Sequence, residues 1–213
     1  MQWIVFFLIG TSTDPTISKN LHEEDTQHGD LIPVSTVDTQ RNITDKLKKG
    51  FTWVSTHCKY DYLLKTNDNT FVNIPTLYAW LDHADTPKTD LYGGNVNWWS
   101  AVLREGVYGV GPEYKRDFYP RYCSGAAYVL SRDAVAKFVR NFERVEYLFI
   151  EDAYIGEVAL RSSVDVVHNK MFAYSQAGCA FDALKISFHP VNTAQCMMEL
   201  YQATLKQLVA VYN

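Results

Sequence analysis

A polar turn follows one apolar strand of the sequence and carries side chains that could bind a phosphate or a metal ion. Lys65 ends the strand, and the turn after it holds three oxygen-bearing side chains, those of Asn67, Asp68 and Asn69. Folds that alternate strands and helices bind ligands at the carboxyl ends of strands, so this turn is a candidate ligand site. The alternative is an ordinary Asn/Asp turn that caps the following helix.

Two adjacent carboxylates, Glu151 and Asp152, follow an apolar run and open a predicted helix. Acidic side chains are stabilised at a helix N-terminus by its partial positive charge, and this accounts for one of the two. The other could face a cleft and act as a general base.

A glycine and a histidine complete the set of candidate functional residues. Gly125 follows Tyr122 and Cys123, and a glycine there lets the backbone approach a ligand closely. The alternative is a tight strand entrance with a disulfide beside it. His189 ends a short apolar segment, where a lone histidine is more often structural than a ligand.

The elements that must position these residues alternate between strand and helix, which predicts an α/β fold. The predicted strands are Trp3–Gly10 (read as buried), Leu31–Ser35, Tyr60–Lys65, Leu91–Val96, Tyr122–Leu130, Val164–Val167 and Lys185–Phe188. The predicted helices are Ile17–His28, Asn42–His57, Phe71–Leu81, Arg132–Asn141, Glu151–Leu160 and Val191–Val209. A long loop over Asn97–Arg121 is expected to be functional, or else a lid packed by its own aromatic residues.

Composition sets the class of protein. The chain has 213 residues, of which 47% are hydrophobic and 21% charged, so a packed core is expected and global disorder is excluded. A formal net charge of −4 argues against a nucleic-acid partner. No stretch reaches the roughly 20 apolar residues that span a bilayer. Four cysteines allow three full pairings, and the sequence does not choose among them.

Taken together and in this order, these motifs resemble glycosyltransferase family 31, the β1,3-galactosyl- and N-acetylglucosaminyltransferases. The resemblance runs along nearly the whole chain. It is carried most strongly by Tyr119-Pro120-Arg121-Tyr122-Cys123-Ser124-Gly125 and by Glu151-Asp152-Ala153-Tyr154-Ile155-Gly156. Further matches are Tyr62-Leu63-Leu64-Lys65-Thr66 and Phe71-Val72-Asn73.

The resemblance implies a GT-A type fold with a Rossmann-like mixed sheet flanked by helices. It implies one catalytic domain over residues 1–213 that lacks an amino-terminal strand-helix unit and a membrane anchor. The implied reaction moves galactose or an N-acetylhexosamine from a UDP-sugar to a glycan acceptor on protein or lipid, with inversion and a β1,3 linkage. The implied location is the lumenal side of the Golgi membrane, with membrane contact only through a segment outside this sequence.

The resemblance also assigns roles to single residues. Asp152 maps onto the catalytic base. The donor-binding positions are Lys65, Asn67, Asp68 and Asp38. The positions that would hold Mn²⁺ are Asp68, Asn69 and His189. Pocket or acceptor positions are Glu151, Gly125, Tyr122 and Trp98.

One departure from the family concerns the metal. The family carries acidic residues at the outer positions of its DxD turn, where Asn67 and Asn69 stand here. Each change removes a negative charge, and affinity for a hard divalent cation depends on that charge count. The sequence therefore predicts weakened Mn²⁺ binding. It leaves open a catalytically impaired relative that serves as a glycan- or protein-binding module.

Overall fold

A computed structural model describes residues 2–173 and 179–212, with the helical backbone alone over residues 210–212. The strands are β1 (Phe7–Thr11), β2 (Leu31–Val37), β3 (Tyr62–Thr66), β4 (Phe71–Val72), β5 (Tyr92–Asn97), β6 (Tyr122–Ser131), β7 (Val166–His168) and β8 (Ser187–Phe188). The helices are α1 (Pro15–His28), α2 (Ile43–His57), α3 (Ile74–Asp82), α4 (Arg132–Asn141), α5 (Glu151–Arg161) and α6 (Ala194–Tyr212). Short 3₁₀ turns lie at Gln40–Asn42 and Phe142–Arg144.

The central sheet has four strands in the order β3-β6-β5-β7. β6 runs antiparallel to both of its neighbours, whereas β5 and β7 are parallel. Consequently the carboxyl ends of β3, β5 and β7 meet the amino end of β6 at one edge of the sheet. This is the edge at which ligands bind in α/β folds.

Alternating residues of β6 supply the core on both faces of the sheet. Tyr128 and Leu130 pack in a cluster with α2, α4 and α5, whereas Ala127 and Val129 pack with α3 on the opposite face. The alternation follows from the two-residue period of a strand. The predicted mixed sheet flanked by helices is therefore confirmed.

Two smaller strand pairs accompany the central sheet. β1 and β2 form a parallel pair of their own, and α2 packs against it so closely that a Cβ on Gly50 would approach the Leu8 side chain. β4 and β8 form a short antiparallel pair in which Phe71 lies opposite Phe188. This second pair brings the carboxyl-terminal part of the chain to the turn after β3.

Several predicted elements have other bounds in the structure, among them the helix predicted over Val191–Val209, which is observed over Ala194–Tyr212. Two of the differences follow from strand pairing. The strand predicted over Trp3–Gly10 begins only at Phe7, because pairing with β2 starts at that residue, and Trp3 and Ile4 are 64% and 76% exposed. The helix predicted over Phe71–Leu81 begins at Ile74. Its first two residues are drawn into β4 by pairing with β8, and the Asn73 side chain caps the helix by accepting from the Thr76 N–H.

The cysteines divide into one pair and two free thiols. Cys179 is bonded to Cys196 on α6, with Cα atoms 5.5 Å apart. Cys58 and Cys123 are free, so the disulfide considered beside Gly125 is not present, and Cys123 is a buried core residue. Among the described residues, no helix has the length and apolar character needed to cross a membrane.

Candidate active site

Lys65 is the centre of a hydrogen-bonded group at the ligand-binding edge of the sheet. It lies opposite Tyr128 in the β3–β6 register. Its ammonium donates to the Asn67 side-chain oxygen at 2.9 Å and to the Gly125 carbonyl at 2.6 Å. It also forms an ion pair with Glu151 Oε2 at 3.3 Å. All three N–H donors of the ammonium therefore have protein partners.

Glu151, the first residue of α5, is tied to the sheet at both of its oxygens. Oε2 pairs with Lys65, and Oε1 accepts a hydrogen bond from the Tyr128 hydroxyl at 3.0 Å. The Lys65 and Glu151 side chains are only 13% and 10% exposed. A sheltered ion pair of this kind is tolerated when further hydrogen bonds satisfy its remaining atoms, as they do here. Both carboxylate oxygens of Glu151 are consequently held by side chains of the sheet.

Asp152 is held by backbone groups and has no cationic side chain bonded to it. Its Oδ2 accepts from the Gly125 N–H at 3.4 Å, and its Oδ1 accepts from the Ala153 N–H at 3.0 Å. Burial, followed by the charge of Glu151, raises the pKa of Asp152 to about 6. The Gly125 N–H and the charge of Lys65 oppose this rise. A carboxyl group with a pKa near the working pH has the proton affinity expected of a general base.

Any side chain at position 125 would displace the side chains that surround Gly125. A Cβ at Gly125 would lie 2.9 Å from Glu151 Oε2, well inside contact distance, and 3.6 Å from Lys65 Nζ. The structure shows a close approach of α5 to β6 at Gly125, whereas the approach of a ligand to this backbone stays a prediction. The backbone of Gly125 joins the two sides of the site, because its carbonyl accepts from Lys65 and its N–H donates to Asp152.

The turn after β3 and the segment after β8 lie against each other. The turn is closed by a hydrogen bond from the Thr70 N–H to the Asn67 carbonyl at 3.2 Å. His189 Nδ1 lies 3.0 Å from the Thr70 hydroxyl, and the tautomer of the ring decides which atom donates. Burial lowers the pKa of His189, with a further decrease from the charge of Lys65, while a hydrogen bond that the ring donates to the Asn69 backbone carbonyl opposes the decrease. His189 is therefore neutral at pH 7.

The residues of this turn do not fit a Mn²⁺ site built on carboxylates. The Asn67 side-chain oxygen accepts from Lys65, and the turn offers one carboxylate, that of the exposed Asp68. Within residues 2–173 and 179–212, no three His, Cys, Asp or Glu side chains converge on one point. With a lysine ammonium beside the turn and a single carboxylate in it, the local charge disfavours a divalent cation.

Three predicted site residues remain, namely Tyr122, Trp98 and Asp38. Tyr122 lies close to Asp152, and burial together with the Asp152 charge raises the pKa of its hydroxyl, which donates to Ser100 at 3.0 Å. Trp98 follows β5 at the same edge of the sheet, with the Arg121 guanidinium 4.9 Å from its ring. Asp38 lies instead at the ends of β1 and β2, where it accepts from the Gly10 N–H and from Lys46.

The long loop between β5 and β6 is ordered by its own contacts. The Arg104 guanidinium donates to the carbonyls of Gly111, Tyr114 and Arg116 at 3.1, 2.9 and 2.7 Å. Trp99 and Tyr108 remain 84% and 51% exposed. The loop thus presents exposed aromatic side chains to solvent.

Sequence reasoning missed Tyr128 as a member of the site. Its hydroxyl fixes Glu151, and its ring lies 5.7 Å from the Lys65 ammonium. The position of Tyr128 in β6 indicates its role only when the register of the sheet is known, because that register places Tyr128 opposite Lys65.

Fold and site together define the class of protein. A mixed sheet flanked by helices joins a lysine, a close-approach glycine and paired carboxylates at its ligand-binding edge, which is an arrangement consistent with a GT-A type glycosyltransferase domain. The sequence model of the family described as Galactosyltransferase matches residues 1–170. The chain belongs to this family, and the resemblance to glycosyltransferase family 31 is confirmed.

Curated relatives support the same class. The chain is 33% identical over 138 residues to UDP-GalNAc:beta-1,3-N-acetylgalactosaminyltransferase 2 of Xenopus tropicalis, covering 64% of this chain and 28% of that protein. It is 30% identical over 159 residues to beta-1,3-galactosyltransferase 5 of Pan troglodytes, covering 73% and 53%. It is 28% identical over 170 residues to beta-1,3-galactosyltransferase 1 of Mus musculus, covering 78% and 52%. The chain spans about half or less of the length of these relatives.

Proposed function

We propose that the protein is a hexosyltransferase that moves galactose or an N-acetylhexosamine from a UDP-sugar to a glycan hydroxyl, with inversion and a β1,3 linkage. The observation that carries the proposal is Asp152, a carboxylate with a raised pKa beside Gly125 at the ligand-binding edge of the sheet. The names of the relatives, β-1,3-galactosyltransferases and a β-1,3-N-acetylgalactosaminyltransferase, support the sugar and the linkage.

In the proposed reaction Asp152 accepts the proton of the acceptor hydroxyl. The hydroxyl oxygen forms a bond to the anomeric carbon from the face opposite the nucleotide. The bond from that carbon to the phosphate oxygen breaks, and its electron pair leaves with UDP. A single displacement of this kind inverts the anomeric carbon and needs one base, which agrees with Glu151 being engaged by Lys65 and Tyr128.

The leaving diphosphate requires positive charge, and Lys65 is the cation of this site. To reach a phosphate oxygen its ammonium exchanges one of its three contacts. The longest of these is the 3.3 Å contact with Glu151, whose other oxygen stays fixed by Tyr128. Because the turn has lost two carboxylates relative to the family, we propose that Mn²⁺ contributes little to donor binding. Asp68, Asn69 and His189 keep contact roles at the donor in this proposal.

The acceptor is proposed to lie along the loop between β5 and β6. Trp98 and Tyr122 stand at the entrance from that loop to Asp152, and aromatic rings suit the apolar faces of sugars. We also propose action on the lumenal side of the Golgi membrane. This rests on the family and on the disulfide between Cys179 and Cys196, since disulfides form in oxidising compartments.

A second candidate function is a non-catalytic module that binds a glycan or a protein. The amides Asn67 and Asn69 favour it, because they leave the turn with less charge to hold a metal and a diphosphate. The two functions differ in one observable, the binding of UDP.

Calorimetric titration of the protein with UDP, once with MnCl₂ and once with EDTA, tests the proposal. We expect binding in both buffers, with affinities within about tenfold of each other, a difference of 1.4 kcal/mol. Absence of UDP binding in both buffers contradicts the transferase function and supports the binding module. Binding that requires Mn²⁺ contradicts only the proposal on the metal.

Substituting the turn separates the role of charge from that of shape. Asn67→Asp together with Asn69→Asp restores two carboxylates at nearly constant volume, so the double variant is expected to gain Mn²⁺ affinity. Calorimetry with MnCl₂ alone measures this, with Asn141→Asp on α4, far along the chain from the turn, as the control. A double variant without any gain shows that the turn does not correspond to the metal-binding turn of the family.

A further inference from the structure

The first turn of α5 holds two carboxylates, but only the first of them is anchored to side chains of the sheet. Glu151 is bonded to Lys65 on β3 and to Tyr128 on β6, whereas Asp152 is bonded to backbone N–H groups. A carboxylate with a stabilising role at a helix N-terminus needs neither partner. Stabilisation of the helix N-terminus therefore does not account for the contacts of Glu151 with Lys65 and Tyr128.

We propose that Glu151 is a positioning residue, which together with Lys65 and Gly125 fixes the orientation and the charge state of the Asp152 carboxylate. This inference rests on the proposed function, in which Asp152 is the base. Glu151 itself contacts neither the donor nor the acceptor hydroxyl in this proposal.

The orientation of Asp152 depends on a chain of contacts that begins at Glu151. Glu151 holds Lys65 at 3.3 Å, and Lys65 in turn donates to the Gly125 carbonyl at 2.6 Å. The N–H of the same glycine donates to Asp152 Oδ2 at 3.4 Å. The place that a side chain at position 125 would take is occupied by Glu151, because a Cβ there would lie 2.9 Å from Glu151 Oε2. Glu151 thus limits where the Gly125 backbone, and with it the Asp152 carboxylate, can lie.

The charge state of Asp152 depends on two groups of opposite sign. Glu151 on α5 raises the pKa of Asp152, and Lys65 on β3 lowers it. The other titratable groups that face Asp152 are neutral at pH 7, because burial raises the pKa of each: Tyr92 on β5, Tyr119 in the long loop, and Tyr122, Cys123 and Tyr128 on β6. The Glu151–Lys65 pair is therefore the adjustable part of this environment.

Neutralising either member of the Glu151–Lys65 pair is expected to shift the Asp152 pKa, and the two shifts have opposite directions. Glu151→Gln removes a negative charge and leaves Lys65 uncompensated, so the pKa of Asp152 falls. Lys65→Gln removes the positive charge and leaves Glu151 uncompensated, so the pKa of Asp152 rises. Each shift is expected to be about one unit, a tenfold change in proton affinity. A purely structural role in beginning α5 predicts no such pair of opposite shifts.

Carbon-13 NMR of the side-chain carboxyl groups measures the Asp152 titration without any substrate. The resonance is assigned by its loss in Asp152→Asn. The matched control is Glu157→Gln, which removes a carboxylate of the same helix that is 12% exposed and pairs with Arg116 at 3.2 Å. In the control the Asp152 pKa is expected to stay at the wild-type value. An Asp152 pKa that is unmoved in both test variants, or moved in the same direction by both, overturns the inference.

A double variant covers the case in which a single variant does not fold. Lys65→Gln with Glu151→Gln leaves neither charge unpaired, and an ion pair replaced on both sides is better tolerated than one broken on one side. The opposite effects of the two charges place the Asp152 pKa of the double variant above that of Glu151→Gln and below that of Lys65→Gln, and either single variant that folds serves for the comparison. A double variant on the other side of that single variant contradicts the inference.

The pH dependence of UDP-sugar turnover separates this inference from the proposed function. If the protein is active, the acid limb of kcat/KM, which reports the ligand-free enzyme, moves with the NMR titration in each variant. Wild-type protein that shows the NMR shifts but no turnover contradicts the transferase proposal while leaving the positioning of Asp152 intact. Turnover whose acid limb stays fixed while the titration moves overturns the positioning role.

Discussion

At the scale of single residues, the two adjacent carboxylates of the site differ in their environments. Glu151 has a lysine and a tyrosine hydroxyl as partners, whereas Asp152 is buried beside a negative charge. A buried carboxylate of this kind lowers the free energy of unfolding, because the ionised form is disfavoured in the folded state. The proposed role of Asp152 as a base and the stability of the fold therefore oppose each other.

This opposition predicts how stability depends on pH. The pKa of Asp152 is raised from 3.8 to about 6 on folding, so the folded state binds the proton more tightly than the unfolded state. Its stabilising contribution is present below about pH 3.9 and is lost as the pH rises through about 6. Asp152→Asn, which is neutral throughout, is expected to be more stable than wild type by about 3 kcal/mol at pH 7.5.

Urea unfolding of both proteins at pH 7.5 and at pH 4 measures this difference, which is expected to shrink at the lower pH. The same variant is expected to bind UDP as wild type does and to lose turnover. A variant that keeps turnover rules out Asp152 as the base, and one that is less stable at pH 7.5 contradicts the raised pKa.

At the scale of elements, the position of α5 on β6 decides the geometry of the carboxylates. The helix approaches the start of the strand so closely that a Cβ on Gly156 would lie 2.8 Å from the Cβ of Tyr122 and 2.9 Å from the Arg121 carbonyl. The Arg121 carbonyl is part of the backbone, and the Tyr122 Cβ is attached to it directly. Neither atom can therefore move without a shift of the backbone. Glycine, which usually weakens a helix, is here required by the packing.

Gly156→Ala is therefore expected to lower the free energy of unfolding by about 1–3 kcal/mol, although alanine favours helix formation. Gly50→Ala on α2 is the matched control, because its Cβ would meet only the flexible end of the Leu8 side chain. Thermal unfolding followed by circular dichroism compares the two variants. A larger loss in Gly50→Ala than in Gly156→Ala would show that the α5–β6 contact can relax.

At the scale of the whole molecule, the carboxyl-terminal part of the chain completes the site from outside the first half of the fold. β8 pairs with β4 and carries His189 to the turn after β3, and Leu200 of α6 packs in the same cluster as Phe188. The disulfide between Cys179 and Cys196 ties this part to α6. His189 lies beyond residues 1–170, the part matched by the family, yet it adjoins the turn.

Removing the disulfide is expected to destabilise the molecule. The cysteines are separated by 17 residues, and closure of a loop of that length corresponds to about 3 kcal/mol. Cys179→Ser with Cys196→Ser should lower the urea midpoint accordingly, and dithiothreitol should do the same to wild type. Cys58→Ser is the control, since Cys58 is a free thiol. Unfolding of the wild type that is insensitive to reductant would contradict the contribution of this bond.

The sequence by itself determined the type and order of most elements and which residue types could do chemistry. Hydrophobic spacing depends on local periodicity, so α2 and α4 were predicted within a residue of their observed bounds. Local pattern failed at β1 and β4, where strand pairing decides the bounds. The donor role that the resemblance implies for Asp38 stays a prediction, and the structure shows its bonds to Gly10 and Lys46.

Only the tertiary structure decided that Glu151 is bonded to Lys65 and Tyr128, whereas Asp152 is held by backbone N–H groups. It also turned the Asn67 oxygen toward a lysine rather than toward a metal. These outcomes depend on contacts between residues 60 and 86 positions apart, those of Lys65 with Gly125 and Glu151. Such contacts are set by sheet register and by the docking of α5, and a periodicity of two or 3.6 residues carries no information about either. The motif is therefore a property of the sequence, whereas the proton affinity of Asp152 is a property of the fold.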